Sequence, residues 1–170
     1  ACHLPQAQVV AVDISPAALN LARENAARHG VEDKIEFVKM DLLRATPEDR
    51  FRRAFELIVS NPPYISRDEE ELLPPEVRQF EPPEALFAED PMAFYRALAR
   101  LSRQWLVPGG WLLCELAPHR AGQVKNIFEK AGFTNLELFP DLAAKLRGIK
   151  ARTPIKKEEN RDQSKHLSRV

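Results

Sequence analysis

Three short apolar stretches each end on a polar residue, and this pattern constrains the fold more than any other feature. Val9-Val10-Ala11-Val12 runs into Asp13; Ile35, Phe37 and Val38 lead to Met40-Asp41; Phe55 to Val59 leads into Asn61-Pro62-Pro63-Tyr64. A continuous apolar run suits a strand buried on both faces, as in a parallel sheet covered by helices. Helical signals lie between such strands. Ser15 and Pro16 read as an N-cap and first helical residue, Ala18, Leu19, Ala22 and Ala26 mark a stripe, and Gly30 reads as the stop. Tyr95, Leu98, Ala99, Ser102 and Leu106 repeat the helical spacing. Pro108-Gly109-Gly110 then reads as a turn before a buried strand over 111–116. Val124, Ile127, Phe128 and Ala131 predict a helix that ends before Gly132. Leu136, Leu138 and Phe139 predict a last strand, with Gly148 to Arg152 as its weaker partner. Alternating strands and helices predict an α/β domain with a mostly parallel sheet.

In such sheets ligands bind beyond the carboxyl ends of the strands. Asp13, Asp41 and the Asn61 segment all fall there, which is the strongest argument in the sequence for a site. Composition narrows the chemistry. Lys+Arg and Asp+Glu are 25 each in 170 residues, so no whole-molecule field favours nucleic acid or an anionic membrane. No apolar run approaches the roughly 18 residues of a membrane span, and no signal peptide is read. Cys2 and Cys114 have no metal-ligand spacing, and the four histidines are scattered, so no metal site and a cytosolic chain are expected. Trp105, Trp111 and Cys114 are expected to pack the interior. Fourteen prolines against six glycines exclude a glycine-rich phosphate loop within these residues. Residues 62–91, proline-rich and acidic, predict a long ordered loop or lid. The polar segment 153–170 predicts a disordered tail after a catalytic domain over 1–152.

Asp13 reads either as an acceptor for two ribose hydroxyls or as a solvated acid near a helix N-terminus. Asp41 reads as an acceptor for an exocyclic amine or as an ordinary loop acid. The Asn61 segment is far more specific. Two prolines stiffen the backbone and remove two donors. The Asn61 side-chain oxygen and the Pro62 carbonyl can then accept both N–H bonds of one substrate NH2 group, while Tyr64 stacks on the planar group that bears it. A weakly nucleophilic amide or aryl amine needs this positioning more than it needs a strong base. Glu115, at a strand end, could line the pocket or serve the structure.

These residues resemble a known family. Val-Val-Ala-Val-Asp-Ile-Ser at 9–15, Asp41 after a strand, and Ile-Val-Ser-Asn-Pro-Pro-Tyr-Ile at 58–65 look like class I S-adenosylmethionine-dependent methyltransferases. Phe80-Glu81-Pro82, Phe94-Tyr95, Val107 to Trp111, Gly132-Phe133 and Pro140 to Ala143 are similar, in order and spacing, to the HemK/PrmC type. The resemblance covers about residues 5–152. It implies methyl transfer from S-adenosylmethionine to the side-chain amide of the glutamine in the Gly-Gly-Gln motif of peptide chain release factors. Asp13 would bind the cofactor's ribose, Ile14 would pack on its adenine, and Asp41 and Leu42 would contact the adenine edge. Asn61, Pro62, Pro63 and Tyr64 would form the catalytic corner, and Glu81 would shape the substrate side. The resemblance implies no metal, and a protein rather than nucleic acid as the direct partner.

Two features depart from the family pattern. The family's glycine-rich loop after its first strand, and its N-terminal helical domain, are not in these 170 residues, so the chain is expected to be an N-terminal truncation with weak cofactor affinity. The family's sheet order is 3-2-1-4-5-7-6, in which strand 1 lies between the strands predicted here at 9–12 and 55–59. Two alternative functions stay open. One is an amino methyltransferase acting on adenine or guanine of DNA or RNA, because Asn-Pro-Pro-Tyr is shared with such enzymes. The other is a non-catalytic remnant of the fold.

Overall fold

A computed structural model describes residues 1–4, 6–47, 49–75, 78 and 83–155. The predicted strand before Asp13 forms as β1 (Val9–Asp13), and β2 (Ile35–Lys39) pairs with it in parallel, Val9 opposite Ile35 through Asp13 opposite Lys39. Helix α1 (Pro16–Arg28) makes the crossover. Ser15 caps it, its hydroxyl accepting from the Ala18 N–H at 3.3 Å, and Gly30 follows its end at φ +62°, a conformation that costs glycine little.

β3 (Phe55–Ser60) and β4 (Leu106–Glu115) are parallel and joined by α2 (Pro91–Trp105). Asp90 caps α2, accepting from the Met92 N–H at 2.9 Å. Beyond β4, α3 (Ala121–Lys130) leads to an antiparallel hairpin of β5 (Thr134–Pro140) and β6 (Leu146–Arg152), with β6 inserted against β4. The order is therefore β1-β2 in one sheet and β3-β4-β6-β5 in another.

The architecture is the expected α/β one, with the antiparallel hairpin at the expected edge. The two sheets also reproduce the expected order on either side of the family's first strand. What differs is continuity, because the hydrogen-bonded sheet is in two parts. Among the described residues β1 pairs with β2 alone and β3 with β4 alone. Each keeps one unpaired edge, and apolar side chains stay in water: Val12 is 40% exposed and Val59 69%. Side chains, not ladders, connect the sheets. Phe51, Leu101 and Trp105 are buried together, and Val10, Val38 and Met40 of the first sheet pack on them with Phe55 and Ile58 of β3. Phe51 meets Trp105 edge-on at 5.4 Å between centroids.

The main core lies between β4, β6, α2 and α3. Tyr95, Leu112, Leu116, Val124, Phe128, Ile149 and Ala151 are fully buried there. Pro108-Gly109-Gly110 is not a free turn. It forms an irregularity inside β4, where the pairing jumps from Phe55–Leu106 to Leu57–Trp111. A Cβ on Gly110 would sit 3.1 Å from the Val107 carbonyl and 3.2 Å from that of Glu56, so a larger residue would have to push this close backbone approach apart by a few tenths of an ångström.

Thr153, assigned by the sequence to the tail, is buried and donates its hydroxyl to the Val107 carbonyl at 2.7 Å. The ordered chain thus runs past the expected boundary, and residues 156–170 lie outside the described residues. Trp105 and Cys114 are buried as expected. Trp111 is half-exposed instead, with the Arg152 guanidinium 5.3 Å from its ring. The expected lid contains a 3₁₀ segment over Arg67–Leu72 and a helical turn over Pro83–Leu86. Among the described residues no helix is long and apolar enough to cross a membrane.

Candidate functional site

The carboxyl end of β3 delivers Asn61 to an open cavity of about 470 Å³, and the two prolines follow it in the chain. Val59, Ser60 and Asn61 form one wall, Leu113, Cys114 and Glu115 of β4 the floor, and Phe139, Pro140, Asp141, Arg147 and Gly148 of the hairpin the far wall. Pro62 is buried while Asn61 is exposed, so the corner is anchored in the protein and presents its amide outward. Among the described residues nothing donates to the Asn61 side chain or to the Pro62 carbonyl.

Phe139 and Gly148 face each other across β5 and β6. A Cβ on Gly148 would fall 2.2 Å from the Phe139 ring, so the glycine lets the ring lie flat on the strand. Asp141 closes the hairpin loop, its carboxylate accepting from the Ala143 and Lys145 N–H groups at 2.9 and 3.0 Å. The bond from the Lys145 backbone outweighs a small burial effect and, with the bond from Ala143 and the nearby Arg147, holds that carboxyl below its ordinary range.

Tyr64 turns its ring toward β4 and donates its hydroxyl to Glu115 Oε1 at 2.8 Å. Two residues later Ser66 and Glu69 form a capping box at the start of the 3₁₀ segment. Arg120 donates to Ser66 Oγ at 3.0 Å and to Glu69, and His119 Nε2 lies 3.0 Å from Glu69 Oε1. Burial alone would raise the Glu69 pKa. The bonds from the Ser66 side chain and backbone and from Arg120 outweigh it, and the carboxyl is held down at about 2. Burial pushes the Cys114 thiol far above its ordinary range, so it is no nucleophile at neutral pH. Among the described residues no three His, Cys, Asp or Glu side chains gather to hold a metal ion.

Asp13 and Asp41 sit side by side at the carboxyl end of the first sheet, where the Met40 N–H donates to the Asp13 carbonyl at 3.0 Å. Asp13 Oδ1 accepts from the Ser15 N–H at 2.8 Å and Asp41 Oδ1 from the Leu43 N–H at 3.0 Å. Ile14 is 55% exposed beside them, and Leu42 is half-buried against both cores. Two carboxylates, which accept hydrogen bonds, next to an exposed apolar side chain form a set that fits the hydroxyls and base of a nucleoside. The structure does not bring these four residues to the cavity that Asn61 lines; they form a second cluster on the other sheet. Glu81 lies outside the described residues. Sequence reasoning missed Phe139, Asp141 and Arg147 as lining residues, and the Glu69–Arg120 pair. Only the strand-end position of Glu115 carried a signal, since the other pairings bridge long separations.

A family model described as UPF0020, RMKL-like, methyltransferase domain, matches residues 2–72. A release factor glutamine methyltransferase of Cereibacter sphaeroides is 42% identical over 151 residues, covering 88% of this chain and 52% of the relative. That of Geobacter sulfurreducens is 42% identical over 132 residues, covering 77% and 44%. The crystal structure of the N-methyltransferase NodS from Bradyrhizobium japonicum, in complex with S-adenosyl-l-homocysteine, matches the fold with a TM-score of 0.54. The identity is 18%, over 86% of this chain and 67% of that one. The chain spans about half the length of the curated relatives it matches. Over that span the chain is similar to the release factor glutamine methyltransferases, and it shares its fold with the N-methyltransferase NodS.

Proposed function

We propose that this protein transfers a methyl group from S-adenosylmethionine to the side-chain amide nitrogen of a glutamine, that of the Gly-Gly-Gln motif in peptide chain release factors. The observation that carries this reading is the rigid corner at the cavity mouth. Asn61 lines the cavity, its side chain and the carbonyl of the buried Pro62 accept from nothing among the described residues, and Tyr64, three residues on, is bonded to Glu115, which lines the same cavity. The similarity to release factor glutamine methyltransferases supports the same substrate. In this reading residues 1–152 act as the catalytic part, in the cytoplasm, with a protein substrate and neither nucleic acid nor membrane as direct partner. Zero net charge is consistent with that choice, because phosphates demand clustered cations.

The residues divide the work. Asp13 and Asp41 would hold the ribose and adenine of the cofactor, with Ile14 and Leu42 packing against the base. S-adenosylmethionine, when bound, supplies an electrophilic methyl group on a cationic sulfur. Asn61 and Pro62 would accept the two amide N–H bonds and fix the nitrogen lone pair on the line of attack. Tyr64 would hold the amide plane. In that transfer the nitrogen would gain the methyl carbon while sulfur kept the electron pair of its broken bond to that carbon. The proton that the nitrogen then shed would leave along its bond to the Asn61 or Pro62 oxygen. Positioning of this kind contributes most of the acceleration available to a weak nucleophile.

The test is methyl transfer from radiolabelled S-adenosylmethionine to a release factor, with duplex DNA and RNA as competing acceptors. Wild type should label the release factor on glutamine. Asn61→Ala should lower the rate by about 100-fold or more with folding intact. Labelling of nucleic acid instead, or an unchanged rate in Asn61→Ala, would overturn the reading.

A further inference from the structure

We propose that Glu115 is a positioning residue: its carboxylate sets the orientation of the Tyr64 ring, and through that ring it aligns the acceptor amide. The inference rests on the reading of the Asn61 corner as the acceptor site. The Glu115 backbone carbonyl accepts from the hydroxyl of Tyr95, which is wholly buried on α2, at 2.9 Å. The residue is paired with Gly148 on β6, and the next N–H, that of Leu116, donates to the Arg147 carbonyl at 2.9 Å. The backbone that carries this carboxylate is thus fixed between a buried helix and a central ladder. It meets the Tyr64 hydroxyl at 2.8 Å and lines the same cavity as Asn61.

The segment after Tyr64 is gripped from the same direction. Arg120, five residues beyond Glu115, bonds Ser66 and Glu69. The stretch 115–120 thus holds 64–69 at both ends, and Pro62-Pro63 leaves the corner little other freedom. A phenol with a free hydroxyl could still turn and tilt about its own side-chain bonds. The bond to a fixed carboxylate removes that freedom, and charge-assisted bonds of this type are stronger than neutral ones.

Two measurements test this. The first follows the ring itself. The chain has only two tyrosines, so the Tyr64 NMR signals of the ring-labelled protein are identified as those that persist in Tyr95→Phe. Those signals should change in position and width in Glu115→Ala with Tyr95 intact. In Glu115→Gln they should stay near the parent's, since the amide oxygen can still accept. Unchanged signals in Glu115→Ala would overturn the proposal whatever the protein's activity.

The second measurement is kinetic. Glu115→Ala should lower kcat by up to about 100-fold, the scale of a small misplacement of a reactant. KM for S-adenosylmethionine should stay within about twofold, and Glu115→Gln should recover most of the rate. Adding Tyr64→Phe to Glu115→Ala should cost little more, because both act through one bond. Multiplicative losses, or a rise in KM for the cofactor in place of the fall in kcat, would overturn the proposal. A wild-type protein that methylates nothing while its ring signals depend on Glu115 would sink the functional reading and leave the orientation of Tyr64 by Glu115 standing.

Discussion

Acid should loosen the grip on the segment after the corner, and Glu69 is where the loss can be measured. Its carboxyl falls from an ordinary 4.5 to about 2 in the folded chain. Each tenfold change in proton affinity is about 1.4 kcal/mol, so the full effect would be roughly 3 kcal/mol. The Glu69 side chain is 23% exposed and its Arg120 partner 16%, so water screens part of it. A contribution of about 1–2 kcal/mol is the reasonable expectation. Because the folded value is the lower one, the stabilisation is complete above pH 4.5 and disappears as pH falls toward 2. Urea unfolding of wild type and Glu69→Gln at several pH values between 7 and 2 isolates this group from the other carboxylates. Wild type should be more stable by about 1–2 kcal/mol at pH 7. The gap should narrow below pH 4.5 and close near pH 2, where a protonated Glu69 carries no more charge than glutamine. A gap that stays constant over this range, or none at neutral pH, would refute the reasoning.

Gly148→Ala should destabilise the hairpin by about 1–3 kcal/mol, because its Cβ would fall 2.2 Å from the Phe139 ring and drive that ring into the cavity; thermal unfolding together with binding of the glutamine substrate would register both effects. Cys2 is exposed and Cys114 buried, so an aromatic disulfide reagent at neutral pH should label one thiol in the folded protein and both in denaturant. Rapid labelling of both in the native state would mean that the β4 core opens freely.

How much of this was legible in the sequence depends on the distance over which each feature is encoded. The Ser15 cap before Pro16, the strand ahead of Asp13 and the corner at the end of β3 were readable because caps, apolar runs and proline stiffness act between near neighbours. The family resemblance rests on such local strings and so was visible as well. Pro108-Gly109-Gly110 misled for the same reason. Locally it is turn chemistry, yet its backbone is held inside β4 by Thr153, 43 residues further on. Tyr64 and Glu115 are 51 residues apart, as are Glu69 and Arg120. No periodicity links such pairs; only the packing of β4 between β3 and β6 brings them to one place. The division of the strands into two hydrogen-bonded sheets, held together through Phe51, Leu101 and Trp105, is likewise a property of the assembled chain. Local sequence sets which groups are available at the strand ends, because neighbouring residues decide helix, strand and cap. Which of those groups meet is settled by long-range register and side-chain packing, whose energies exist only once the chain has folded.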